Sequence, residues 1–66
     1  MPEVHVYLAA GRTVEQKKNL MKAISEAVVS SVGSDIGAVT VQIIEAPLHD
    51  KMNGGVTFAE RAAAKK

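Results

Sequence analysis

TVEQKKNLMKAISEAVVSSVG, residues 13–33, is the stretch that decides the architecture. Thr13 and Gln16 stand three apart at its head, the spacing of a capping box in which each side chain meets the other's backbone N–H. Leu20, Met21, Ile24, Ala27, Val28 and Val32 then recur at steps of three and four, which is one face of a helix. Lys17, Lys18, Lys22 and Glu26 fall mostly on the polar side. Gly33 is a natural stop, since a left-handed conformation costs glycine little. The spacing predicts a helix from about Val14 to about Val32.

On either side the period changes from 3.6 to two. Val4, Val6 and Leu8 alternate with Glu3, His5 and Tyr7, so residues 2–9 read as a strand that Ala10-Gly11-Arg12 breaks. After a short turn at residues 34–37, Val39, Val41 and Ile43 alternate with Thr40, Gln42 and Ile44, a second strand over about 38–45. Strand, long helix, strand is a βαβ unit with parallel strands and a right-handed crossover. One helix covers one face of such a pair, so Tyr7 and Ile44 on the other face are expected to stay wet until a partner covers them. Pro47 ends the second strand, and residues 47–53 read as a polar loop. Gly54-Gly55 before Val56-Thr57-Phe58 reads as a turn into a short strand or hairpin able to cross a subunit boundary. The alanine- and charge-rich tail, residues 59–66, reads as a short helix or a frayed end. No repeat, linker or second domain is visible, so residues 1–66 form one α+β domain.

The size of the chain points the same way. A domain of 66 residues buries only about 60% of its unfolded surface. No cysteine is present to staple it, and no cysteine–histidine cluster points to a metal. With 47% hydrophobic residues on so short a chain, self-association is the expected outlet. A net charge of +1, with Tyr7 and Phe58 outside any basic patch, argues against a nucleic-acid partner. No apolar run approaches the ~20 residues of a membrane span and no signal-peptide pattern is present, so a cytoplasmic soluble protein without membrane contact is expected.

Chemistry centres on Pro2. Removal of Met1, which a small second residue permits, would leave a secondary amine at the start of a strand. Such an amine serves as a general base when a neighbouring cation and an apolar wall disfavour its ammonium form. From composition alone the plainer alternative is preferred: proline opens a strand, where a missing N–H is harmless. Arg12 offers a guanidinium for a carboxylate, or is a solvated loop arginine. About 25–30 Å of strand separates the two, so they share a site only if different subunits supply them. His5 reads as an interface or satisfied histidine, His49-Asp50 as a weak pair, Glu45 as a solvated strand end, and Met21 as core.

Taken together, these residues resemble the 4-oxalocrotonate tautomerase family. The resemblance runs through Pro2 after Met1, Gly11-Arg12-Thr13 with Glu15-Gln16-Lys17, Ser25-Glu26-Ala27, the Val-Thr-Val strand ending at Glu45, and Gly54-Gly55. It implies a βαβ fold paired into a four-stranded sheet in the dimer, and a homohexamer built as a trimer of dimers. The activity implied is proton transfer between oxygen and carbon of an enol or dienol 2-oxo acid, with no cofactor and no metal. Pro2 would be the catalytic base and Arg12 would hold the carboxylate of a substrate bound at a neighbouring subunit. The chain departs from the family pattern at two candidate substrate-binding positions. Thr40 stands where a second arginine is expected, and Lys51 where an aromatic is expected three residues before the paired glycines. Loss of the arginine points to a substrate with one carboxylate, and Lys51 would restore the missing charge from the loop. Two other readings remain open on the residues: a hydrolytic dehalogenase with Glu45 activating water, and an inactive structural subunit of a hetero-oligomer.

Overall fold

The computed structural model describes residues 2–64. Met1 and the last two positions of the tail lie outside the described residues. Strand β1 spans Glu3–Ala9, helix α1 Val14–Val32 and strand β2 Thr40–Ala46. They are followed by two short strands, β3 at Met52–Asn53 and β4 at Val56–Thr57, and helix α2 at Phe58–Ala64.

Helix α1 begins and ends where its sequence signals stand. The Gln16 N–H donates to Thr13 Oγ1 at 3.1 Å, and the Thr13 N–H donates to Gln16 Oε1 at 3.0 Å, closing the capping box. Gly33 takes φ 74°, and its N–H donates to the Val29 carbonyl at 3.0 Å. The strands it joins are parallel, with Val4 opposite Val41, Val6 opposite Ile43 and Leu8 opposite Glu45. Those six residues share the face toward α1, whose half-buried positions include Met21, Ile24, Val28 and Val29. Leu20, Ala27 and Val32, expected on the apolar face, are exposed in the protomer. β2 starts at Thr40, two residues later than its alternation indicates, because Ile36–Ala38 close a 3₁₀ turn through Ala38 N–H to Asp35 O at 2.9 Å.

The C-terminal arm is more ordered than its polarity indicates. Residues 47–53, read as a loop, contain a 3₁₀ turn at Leu48–Asp50 and the whole of β3. β3 pairs antiparallel with β4, with Met52 opposite Thr57 and Asn53 opposite Val56. Gly54 and Gly55, at φ 63° and 81°, make the two-residue connection that a tight hairpin needs. The tail is helical from Phe58, one residue earlier than read. Thr57 and Glu60 form a second capping box: Glu60 N–H donates to Thr57 Oγ1 at 3.0 Å, and Thr57 N–H donates to Glu60 Oε1 at 2.8 Å. The spacing Thr57-Phe58-Ala59-Glu60 carries that signal in the sequence.

The protomer is not a finished globule. Among the described residues none is fully buried, and Tyr7 on the open sheet face is 68% exposed, although Ile44 beside it is half-buried. The radius of gyration is 15.1 Å, against about 11 Å for a compact chain of this length. Its surface of 4942 Å² exceeds the roughly 4,000 Å² expected of a compact monomer of this mass. Val14, Val32 and Met52 add apolar surface to Tyr7, at 79%, 66% and 60% exposed. Hydrophobic side chains on this scale are stable when another surface removes them from water.

Candidate active site

Each end of β1 holds one pair of the candidate residues. At the amino end the Thr40 N–H donates to the Pro2 carbonyl at 3.0 Å, extending the parallel ladder by one residue and setting Thr40 directly beside the proline. Pro2 is half-buried and Thr40 exposed. Glu3 and His5, two residues apart on the open face, pair through Glu3 Oε2 and His5 Nε2 at 2.8 Å. His5 is therefore satisfied by a neighbour, as its position on the strand indicates.

At the carboxyl end the Ala10 N–H donates to the Ala46 carbonyl at 2.9 Å and carries the chain out to Arg12. A cleft of about 420 Å³ opens there, walled by Tyr7, Leu8, Arg12, Lys51 and Phe58 among others. A second cleft of about 340 Å³ lies between Arg12 and the start of α1, against Leu8, Gln16 and Leu20. Lys51 is half-buried, and its carbonyl accepts the Phe58 N–H at 2.8 Å, which locks the arm's backbone at the cleft wall. The fold thus brings Arg12 and Lys51 together although 39 positions of sequence lie between them (51 − 12).

Glu45 is not a freely solvated strand end. Lys17 Nζ donates to Glu45 Oε1 at 3.0 Å, with both side chains part-buried between α1 and β2. This pair was not legible in the helix pattern, which assigns Lys17 to the polar side. Its signal is positional: Lys17 lies in the first turn or so of α1 and Glu45 near the carboxyl end of β2, the two ends that a βαβ crossover sets side by side. On the C-terminal arm, the Glu60 carboxyl is held below its ordinary value of 4.5 by the backbone and hydroxyl hydrogen bonds from Thr57.

Pro2 and Arg12 are not neighbours within the protomer. The seven residues of β1 lie between them, at about 3.3 Å each, or roughly 23 Å. Within one protomer, therefore, Pro2 and the cleft beside Arg12 do not face a common volume.

Residues 2–61 match the family described as tautomerase enzyme. A probable tautomerase of Bradyrhizobium diazoefficiens is 56% identical over 66 residues, covering 100% of this chain and 98% of that protein. Among solved structures, TomN, a 4-oxalocrotonate tautomerase homologue in the tomaymycin biosynthetic pathway, superposes with a TM-score of 0.89 at 31% identity, covering 98% of this chain and 100% of TomN. A heterohexamer 4-oxalocrotonate tautomerase from Chloroflexus aurantiacus gives a TM-score of 0.85 at 30% identity, covering 91% of this chain and 97% of the other.

Proposed function

The chain belongs to the tautomerase family, and on that premise we propose that it is an isomerase of enol or dienol 2-oxo acids with Pro2 as general base. The free prolyl nitrogen takes the proton of the enol hydroxyl, and the oxygen's electron pair closes the carbonyl. The carbon end of the conjugated system then takes a proton from the prolyl ammonium, which restores the base. Arg12 of a neighbouring chain binds the substrate carboxylate, and Thr40 and Lys51 touch the substrate from the two ends of the composite site. This chemistry requires Pro2 to be the first residue of the mature chain, because an acylated proline nitrogen has no usable lone pair.

The observation that carries the reading is the separation of Pro2 from the Arg12 cleft along β1, in a protomer with no fully buried residue among those described. Such a chain has its site and its core completed by copies of itself, as in a homohexamer assembled from dimers with four-stranded sheets. The test is ketonisation of 2-hydroxymuconate and of phenylenolpyruvate by the protein beginning at Pro2, beside Pro2→Ala and Arg12→Ala. Turnover untouched by Pro2→Ala removes the mechanism.

A second reading, a structural subunit paired with an active relative, is favoured by the departures at Thr40 and Lys51 and by the hetero-oligomeric state of the Chloroflexus neighbour. Under it the isolated chain is inactive with both substrates even with Pro2 exposed. The dehalogenase reading needs Glu45 to activate water, and Lys17 engages that carboxylate instead.

A further inference from the structure

The positive charge of this chain is unevenly placed. Residues 2–11 and 30–50 contain no lysine or arginine, whereas Glu3 and Asp35 stand at that end of the strands. The amino end of the sheet, where Pro2 and Thr40 lie, therefore receives no lysine or arginine from these segments, and its Glu3 is paired with His5. At the other end, two of the nearby cations are already engaged, Lys17 by Glu45 and Arg61 by the Asn53 carbonyl at 2.9 Å. Arg12 and Lys51 have no hydrogen-bonded or ionic side-chain partner among the described residues, yet they wall the same cleft. The other walls named above, Tyr7, Leu8 and Phe58, are largely apolar. Charges beside such walls act through a lower dielectric than water and attract an anion more strongly.

We propose that Arg12 and Lys51 form a two-cation cradle for one end of a 2-oxo acid, Arg12 gripping the carboxylate and Lys51 the adjacent 2-oxygen. The assignment rests on the tautomerase reading of the cleft and deepens it by giving Lys51 a specific atom of the substrate, the 2-oxygen. A planar guanidinium matches the two oxygens of a carboxylate, and a lysine ammonium acts as a point charge suited to a single oxygen. The hydrogen bonds at Ala10 and Phe58 hold both backbones in place before any ligand arrives, so little reorganisation opposes binding. The segments that build the proline end, residues 2–11 and 30–50, supply no lysine or arginine to hold a second carboxylate. The cradle therefore selects acids that carry their charge at one end and a neutral, apolar body at the other. Lys51 also faces the oxygen on which charge shifts during proton transfer, and so supports the enolate as it forms.

The test compares two ligands that differ only at the 2-position, phenylpyruvate and 3-phenylpropionate, by calorimetry on the assembled protein and on Lys51→Met and Lys51→Arg. Phenylpyruvate binding is expected to weaken about tenfold in Lys51→Met, with most of it regained in Lys51→Arg, while 3-phenylpropionate changes by less than about threefold. Kinetics should show Lys51→Met lowering kcat/KM for phenylenolpyruvate. Equal losses for both ligands, no loss for either, or no phenylpyruvate binding to the unsubstituted protein would each overturn the cradle. Binding does not need the base, so these results stand apart from the Pro2→Ala assay. Failure of the one leaves the other to be judged on its own readout.

Discussion

The two ends of β1 differ in how they are built, and the difference bears on what a single chain can bring together. At the amino end the sheet itself does the positioning, since a single ladder hydrogen bond from Thr40 sets the strand against Pro2. Residues 2–11 and 30–50, which build that end, contain no lysine or arginine. At the carboxyl end a separate piece of chain, the arm of β3, β4 and α2, folds back to set Lys51 across a cleft from Arg12. One end holds Pro2 and the other a cleft with two cations, Arg12 and Lys51, and roughly 23 Å of strand lies between them. Proton transfer to a bound acid needs reacting atoms at hydrogen-bond distance. The division of labour within the protomer is thus an argument for contact between protomers.

That comparison can be broken most directly at the proline. Pro2→Ala keeps a terminal amine but loses the secondary amine and its rigid ring, and kcat/KM is expected to fall about 10²- to 10⁴-fold. Stopped-flow absorbance on the enol substrates reads it. The open sheet face comes next. Ile44→Lys puts a charge where the partner surface should lie, and burying it unpaired is costly enough to weaken assembly about a hundredfold or more. Sedimentation velocity across a concentration series would reveal the change, and an intact assembly in that variant would break the link between the open face and oligomerisation.

A smaller effect is expected at the cationic end. Arg12→Ala removes a charge-assisted grip on the carboxylate, lowering kcat/KM about 10- to 100-fold, mostly through KM. A loss confined to kcat would mean that Arg12 acts on the reacting atoms rather than on the carboxylate. The smallest effect concerns the arm that carries Lys51. Glu60 is held below its ordinary value by Thr57, so its contribution is present above about pH 4.5 and is lost as pH falls through the lower folded value. Amide protection in α2, taken relative to the intrinsic exchange rate at each pH, should fall below pH 4.5, and Thr57→Ala should remove most of that acid sensitivity while leaving α1 unchanged.

The parts of the fold legible in the residues are those with local causes. Helix α1 runs where the 3.6-residue period, the Thr13–Gln16 box and Gly33 say it must, because each signal acts within one turn of its own position. The alternation around Val4 and Val41 places both strands and the face they share. Two of the misses have local causes too. The polarity of residues 47–53 concealed β3, whose ladder depends on the two glycines that follow it. The Thr57–Glu60 box was present in the residues and sets the start of α2 one position ahead of the alanine-rich tail. The helical period places Lys17 on the solvent side, since it carries no information about what β2 presents across the crossover.

By itself, then, the order of residues determined the βαβ frame and singled out Pro2 and Arg12 as candidates, since period, caps and the position of a proline are read within a few neighbours. Tertiary structure alone decided that Thr40 stands beside Pro2, that Glu45 is tied to Lys17, and that Lys51 shares a cleft with Arg12. Those juxtapositions join segments 28 to 39 positions apart. Such distances in space follow from strand register and from the fold-back of the arm, which no local spacing encodes.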